Sequence, residues 1–198
     1  MSNLFQKLEL QAFRAGITPR TEESRKWFRQ KAQELRRVNR SALLNSEETK
    51  LVEIRGIGAM VGTMNMFFYD PKTKDTLPYY DRFPLSIIVG PAPKGFYGLN
   101  LHYLPPILRA KFLDALMDIT NNKKYNETTR FKVSYQLLKA TSKLDLFKPC
   151  FKHYLTQHVK SRMARVMAPE WEIATFLPMA EWEKGSSRTV YRDSRKMI

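Results

Sequence analysis

The stretch Phe83-Pro84-Leu85-Ser86-Ile87-Ile88-Val89, then Gly90-Pro91-Ala92-Pro93-Lys94-Gly95, then Phe96-Tyr97-Gly98-Leu99-Asn100-Leu101-His102-Tyr103-Leu104, decides the fold. Two runs of strand length, rich in branched and aromatic side chains, flank a loop of glycine and proline. The first run is almost continuously apolar and reads as a buried strand. Upstream, Met64, Met66, Phe67, Phe68 and Tyr69 form another candidate, closed by the polar turn Asp70-Pro71-Lys72-Thr73-Lys74-Asp75. Leu51-Val52-Glu53-Ile54 is a fourth, with Gly56, Gly58 and Gly62 punctuating the residues after it. Leu77-Pro78-Tyr79-Tyr80-Asp81 is irregular, because proline removes a ladder donor. Short strands with tight connections predict a small antiparallel unit, an SH3-like β-barrel or a curled sheet. Alternation gives its core face Phe67, Tyr69, Leu85, Ile87, Val89, Leu99 and Leu101.

Helical signals surround this unit. Thr21-Glu22-Glu23 supplies a capping hydroxyl and two carboxylates where a helix dipole favours them. Trp27, Phe28, Ala32, Leu35 and Val38 then draw one apolar stripe, and Arg25, Arg29, Arg36, Arg37 and Arg40 occupy much of the remaining surface. Pro105-Pro106 ends the sheet and primes a helix with an apolar face of Ile107, Leu108, Phe112, Leu113, Leu116 and Met117. Further helices are predicted over Phe131–Leu138 and Phe151–Met163, and Ile173–Leu177 reads as a closing strand. The class is therefore α+β, with an N-terminal basic helix and a C-terminal helical part. The divisions are a basic arm over 1–50, a core over 51–183 and a basic tail over 184–198. Within the core, the β unit spans 51–105, the helical part 106–168 and the closing strand 169–183. The tail has too little apolar area to fold alone and is expected to be mobile until it meets a partner.

The 198 residues carry 34 Lys+Arg against 19 Asp+Glu, a formal charge of +15. A content of 43% apolar residues is too high for a disordered chain. The middle segment, 51–105, is nearly neutral, and the excess lies in the two flanks. Such a balance favours polyanions or acidic protein surfaces. No apolar run approaches the about 18 residues of a membrane span. The start Met1-Ser2-Asn3-Leu4-Phe5-Gln6-Lys7 lacks the pattern of a secretory signal, and the single Cys150 suits a reducing compartment.

Catalytic chemistry finds little support. Cys150, His153 and His158, with His102 as a fourth donor, form an awkward zinc set, because knuckle-type pairs are missing. Cysteine–histidine catalysis needs the same groups and fares no better. Gly56-Ile57-Gly58 lacks the Lys-Ser/Thr of a phosphate loop. Asp70, Asp75 and Asp81 beside Lys72 or Lys74 would be needed for a metal-dependent nuclease, but they sit where aspartate ordinarily caps turns. Phe68, Tyr69, Tyr79, Tyr80, Phe96, Tyr97 and Tyr103 lie near basic residues and are read as packing rather than as a stacking platform for bases.

One long block, Met66 to Leu85 (MFFYDPKTKDTLPYYDRFPL), is joined by Gly95 to Pro105 (GFYGLNLHYLP), Pro169 to Pro178 (PEWEIATFLP) and Tyr191-Arg192-Asp193-Ser194-Arg195. Together they resemble small virion proteins of large contractile-tailed bacteriophages, some labelled DNA end protectors and others structural proteins. The likeness covers most of residues 60–195. It implies a non-enzymatic component of the particle, made in the host cytoplasm, without cofactor or metal and in several copies of a symmetric assembly. Two partner classes are implied. The first is docking on acidic faces of other phage structural proteins in the neck, tail or baseplate. The second is double-stranded DNA at the genome end; a head-completion nuclease is a weaker third reading. In either partner class the contacting residues are Arg25, Arg29, Arg36, Arg37, Arg40, Arg188, Arg192, Arg195 and Lys196.

Overall fold

The computed structural model describes residues 4–35, 37–46, 51–52, 56–120, 136, 145–167 and 170–196. Helices α1 (Leu4–Arg14), α2 (Glu22–Glu34) and α3 (Arg40–Asn45) precede strands β1 (Leu51–Val52), β2 (Met64–Met66), β3 (Tyr80–Asp81), β4 (Leu85–Ala92) and β5 (Gly95–Asn100). Helix α4 (Pro106–Thr120), β6 (Phe151–Leu155), β7 (Met163–Val166), α5 (Trp171–Phe176), β8 (Trp182–Glu183) and α6 (Ser187–Lys196) come after them. No described helix is long and apolar enough to cross a membrane.

Residues 83–104 form the hairpin that their pattern predicts. β4 and β5 pair antiparallel from Ser86↔Asn100 to Ala92↔Gly95, with a bulge at Val89 between Ile88 and Gly90. The strand continues through Gly90-Pro91-Ala92, so the loop shrinks to Pro93-Lys94, with Lys94 at φ 57. The described strands form an open six-stranded antiparallel sheet in the order β1-β7-β2-β4-β5-β6, beside a small β3–β8 ribbon. The α+β class holds, and the sheet does not close into a barrel.

Both faces of the sheet are covered. Met64, Met66, Leu85, Ile87 and Leu99 face the helices, in one core with Phe28, Leu113, Trp171 and Val190. Phe67, Tyr69, Ile88, Phe96, Tyr154 and Met163 form a second core on the other side. The seven positions expected to be core are all buried, but Phe67 and Tyr69 belong to the second cluster. The short apolar stripe of β2 ends at Met66, and beyond it the chain turns these two rings to the opposite face.

Three expectations give way. Residues 151–163 are not a helix: β6 pairs along β5, and a 3-10 turn over Thr156–His158 leads towards β7. The reason lies in β5. A methyl on Gly95 would sit 1.9 Å from the Tyr154 carbonyl oxygen, and one on Gly98 would sit 2.3 Å from Ser86 Oγ. The glycine edge is thus a slot that only another strand fills closely. Residues 171–176 are helix, not strand. Trp171 Nε1 donates to the Val166 carbonyl at 3.0 Å, and Thr175 Oγ1 donates to the Trp171 carbonyl at 2.8 Å. A short apolar run cannot be told from a buried helix by periodicity alone. The basic tail is helix α6, with Val190 fully buried and Ser186 Oγ accepting from the Thr189 amide. Its apolar side chains are few but converge on one face of the helix. The helix expected over Phe131–Leu138 lies outside the described residues, except for Gln136.

The arm is more helical than its sequence suggests. α1 has no strong sequence signal, yet it buries Phe5, Leu8 and Ala12. Thr21 caps α2 through a reciprocal pair with Ser24, and Asn39 restarts the chain as α3 by accepting from the Ala42 amide at 2.9 Å.

Ile87 is completely buried at the centre of the main core. Ile87→Ala should cost about 2–5 kcal/mol in chemical denaturation; a cost below about 1 kcal/mol would place that face outside the core. Removing residues 187–198 should cost about 3 kcal/mol or more, because it uncovers the core beneath Val190 and removes a hydrogen bond to a buried guanidinium. An unchanged melting temperature would show that α6 contributes nothing to the fold.

Candidate nucleic-acid interface

Arginines singled out in the sequence divide into two kinds. Arg25 ion-pairs with Glu22 at 2.9 Å and with Asp114, and so ties α2 to α4. Arg40 donates to the Met179 carbonyl at 2.7 Å and the Ala180 carbonyl at 2.8 Å. Both are structural ties. Arg29, Arg37, Arg188 and Arg192 are exposed. Arg36 lies outside the described residues, and Arg195 and Lys196 belong to the last turn of α6. α2 packs on α5, whereas α6 packs on the 101–103 turn and on the 145–150 segment. The two groups of arginines therefore stand on separate elements.

A different cationic site lies between the Pro71–Tyr80 loop and β6. It is a cleft of about 470 Å³ whose lining includes Lys72, Lys148, Lys152, Tyr79, Tyr80 and Tyr103. Its loop wall is pinned from the far end of the chain. Lys184 Nζ donates to the Lys74 carbonyl at 2.8 Å and the Asp75 carbonyl at 3.0 Å. Lys74 itself ion-pairs with Asp70 at 3.1 Å. Trp182 supports the aromatic wall, edge-on to Tyr79 at 6.1 Å and to Tyr103 at 4.9 Å.

Lys152 is the unusual cation. It alternates away from Phe151 on β6, and its Nζ lies 3.9 Å from the centre of the Tyr103 ring. Among the described residues it has no carboxylate within ion-pair distance. Burial pushes its pKa down to about 8, against smaller opposing effects of Cys150 and Asp81. Burial likewise pushes the Cys150 thiol up to about 12, so this cysteine is a packed, inert group.

Beneath the cleft runs a buried polar chain. Asp81 Oδ1 accepts from the amides of Phe83 and Glu181, each at 3.0 Å. Its Oδ2 accepts from Asn100 Nδ2 at 3.0 Å and from His102 Nδ1 at 2.6 Å. Burial opposes the charge on Asp81, but His102, Asn100 and the Glu181 amide outweigh it and hold the carboxyl below its ordinary range. Burial holds His102 low as well, against the pull of Asp81, and Arg109 and Arg40 add to the lowering. The imidazole is therefore neutral, donating from Nδ1, and its Nε2 is buried without a partner among the described residues. Arg109 completes the chain. Its guanidinium donates to the carbonyls of Leu104, Thr175 and His102 and, at 2.7 Å, to the Tyr191 hydroxyl of α6.

The other candidate groups are dispersed. His153 Nε2 donates to the Pro93 carbonyl at 2.9 Å, and His158 Nδ1 to the Asp70 carbonyl at 2.7 Å. Among the described residues no three His, Cys, Asp or Glu side chains gather as a metal site. Sequence reasoning finds Tyr79, Tyr80 and Tyr103, meets Lys72 only as a candidate nuclease lysine, and misses Lys148 and Lys152. Counting charge by segment hides them, because Lys148 and Lys152 come to the neutral β unit from the basic flank.

Residues 6–195 match a protein family described as Phage T4 terminal DNA protecting protein. Comparisons with curated proteins and with solved structures give no match.

The buried pair makes stability depend on pH. His102 is held low in the fold, so the unfolded chain takes up a proton near pH 6.5 that the folded chain refuses. Its contribution is complete above that pH and is lost as pH falls towards the folded value. Asp81, also held low, adds a second loss below about pH 4. Urea unfolding at pH 7.5 and 5.5 should therefore show a drop that shrinks by roughly 1 kcal/mol in His102→Gln. An equal drop in both proteins would mean that His102 is protonated in the fold.

Proposed function

The chain belongs to the family described as Phage T4 terminal DNA protecting protein, and we propose that it binds the ends of a linear double-stranded phage genome and shields them from exonucleases. The observation that carries this reading is the family match, which runs through nearly the whole chain, arm and α6 included. It supports the genome-end role over docking in a tail or baseplate. Protection of this kind needs occupancy of the end, not chemistry, so no catalytic group is assigned. The protein travels with the genome end in the particle.

The charge suits the task. At +15 the protein meets a polyanion, and most of the affinity comes from phosphates and released counterions. Arg29, Arg37 and Arg188 are exposed cations that can meet the duplex backbone, as is Arg192 beside its ion-pair partner Asp193, and Lys72 and Lys148 line the cleft. Arg25 and Arg40 are committed to internal ties and belong to stability rather than to DNA contact.

A linear duplex incubated with the protein and a processive exonuclease should persist, whereas a covalently closed circle should compete poorly for the protein. Protection should weaken steeply between about 50 and 200 mM salt. Full degradation at the lower salt, or equal competition by closed circles, would refute end protection.

A further inference from the structure

We propose that the cleft between the Pro71–Tyr80 loop and β6 seats a phosphomonoester, the terminal phosphate of a DNA strand, with Lys72, Lys148 and Lys152 as its cationic partners. The inference rests on the end-binding reading above and specifies where the end is held.

Lys152 is the decisive residue. A partly buried ammonium ordinarily finds a carboxylate, and this one, among the described residues, meets the face of Tyr103 and no carboxylate. A charge kept this far from water without a counter-ion is suited to an anion that arrives from outside. The carboxylate in the lining, Asp81, does not fill that role. Both its oxygens are occupied by the donors from Phe83, Glu181, Asn100 and His102. Lys72 stands on the loop wall and Lys148 on the 145–150 segment, so the three amines approach from different elements. Three lysines around one cleft supply charge suited to a phosphate, each acting as a point charge.

Shape selects the terminal group over an internal one. An internal phosphodiester carries one charge and is flanked by a sugar on each side. A terminal phosphate hangs from a single ester bond and carries about −1.5 to −2 at neutral pH. It can reach past the exposed Lys72 and Lys148 to the recessed Lys152. Half-buried Tyr79 and Tyr80 then lie beside the last sugar and base, where an aromatic face gives sequence-independent stacking.

Binding of a blunt duplex of about two helical turns, some 20 base pairs, can be compared with 5′-phosphate, 3′-phosphate or hydroxyl ends. The wild type should bind one phosphate-bearing end roughly tenfold more tightly than the hydroxyl end. Lys152→Met keeps the aliphatic stem over Tyr103 and should erase that preference. The double change Lys72→Met with Lys148→Met, at two exposed positions, should reduce the preference severalfold. Equal wild-type binding to all three ends overturns the phosphate seat but leaves end binding standing. A preference retained in both variants also overturns it. Failure to bind any end, with nuclease degradation unimpeded, overturns the end-binding reading and this inference together.

Discussion

Asp81 is a carboxylate without access to water, and much of the architecture depends on how its charge is satisfied. Four donors from three parts of the chain converge on its oxygens: two backbone amides, an asparagine and a histidine. The same residues close the β3–β8 ribbon against the end of β5. Through the His102 carbonyl the chain of contacts passes to Arg109, and from there to α4, α5 and α6. Breaking such a set by removing one member costs about 3–5 kcal/mol, because a charge or donor is left stranded. The cleft above inherits this rigidity, since Asp81 and Asn100 belong to both.

The parts of the fold legible in the sequence are those fixed by neighbours in the chain. The hairpin over 83–104 can be read because a nearly unbroken apolar run declares a buried strand and its turn lies close by. Thr21 announces a helix start by local capping, whereas Asn39, a helix-weakening residue by its sequence, caps a third helix only in the fold. β6 is not legible, because its conformation is set by the glycine slot of a strand more than fifty residues earlier. Phe151 and Tyr154 suit a helix as well as a strand until Gly95 and Gly98 are placed beside them. The ending misleads for a related reason. Val190 and Tyr191 are too few to fold alone, yet suffice once Arg109 and the core are present.

The site divides similarly. Its aromatics are visible in the sequence as residues of a strand region, whereas its cations are not visible as a group. Arg25, Arg40 and Arg109 show why counting basic residues is a poor guide to a binding face. Each of these long cations is spent on internal carbonyls or carboxylates, joining segments more than sixty residues apart. Lys148 and Lys152 carry no distinguishing mark in the sequence, and Lys72 is marked only by the aspartates near it. They come together in one cleft only through the pairing of β5 with β6 and the pinning of the loop by Lys184.

The hydrogen bond between Arg109 and Tyr191 spans 82 positions of the chain. At a synthesis rate of about 5–20 residues per second, roughly 4–16 s pass between the appearance of the guanidinium and that of its phenol partner. For those seconds the nascent chain holds a cation whose final seat is incomplete, with the core beneath α6 still uncovered. Its fold is therefore closed from the C-terminal side. A nascent chain stalled before Tyr191 would expose that open core to chaperones and proteases.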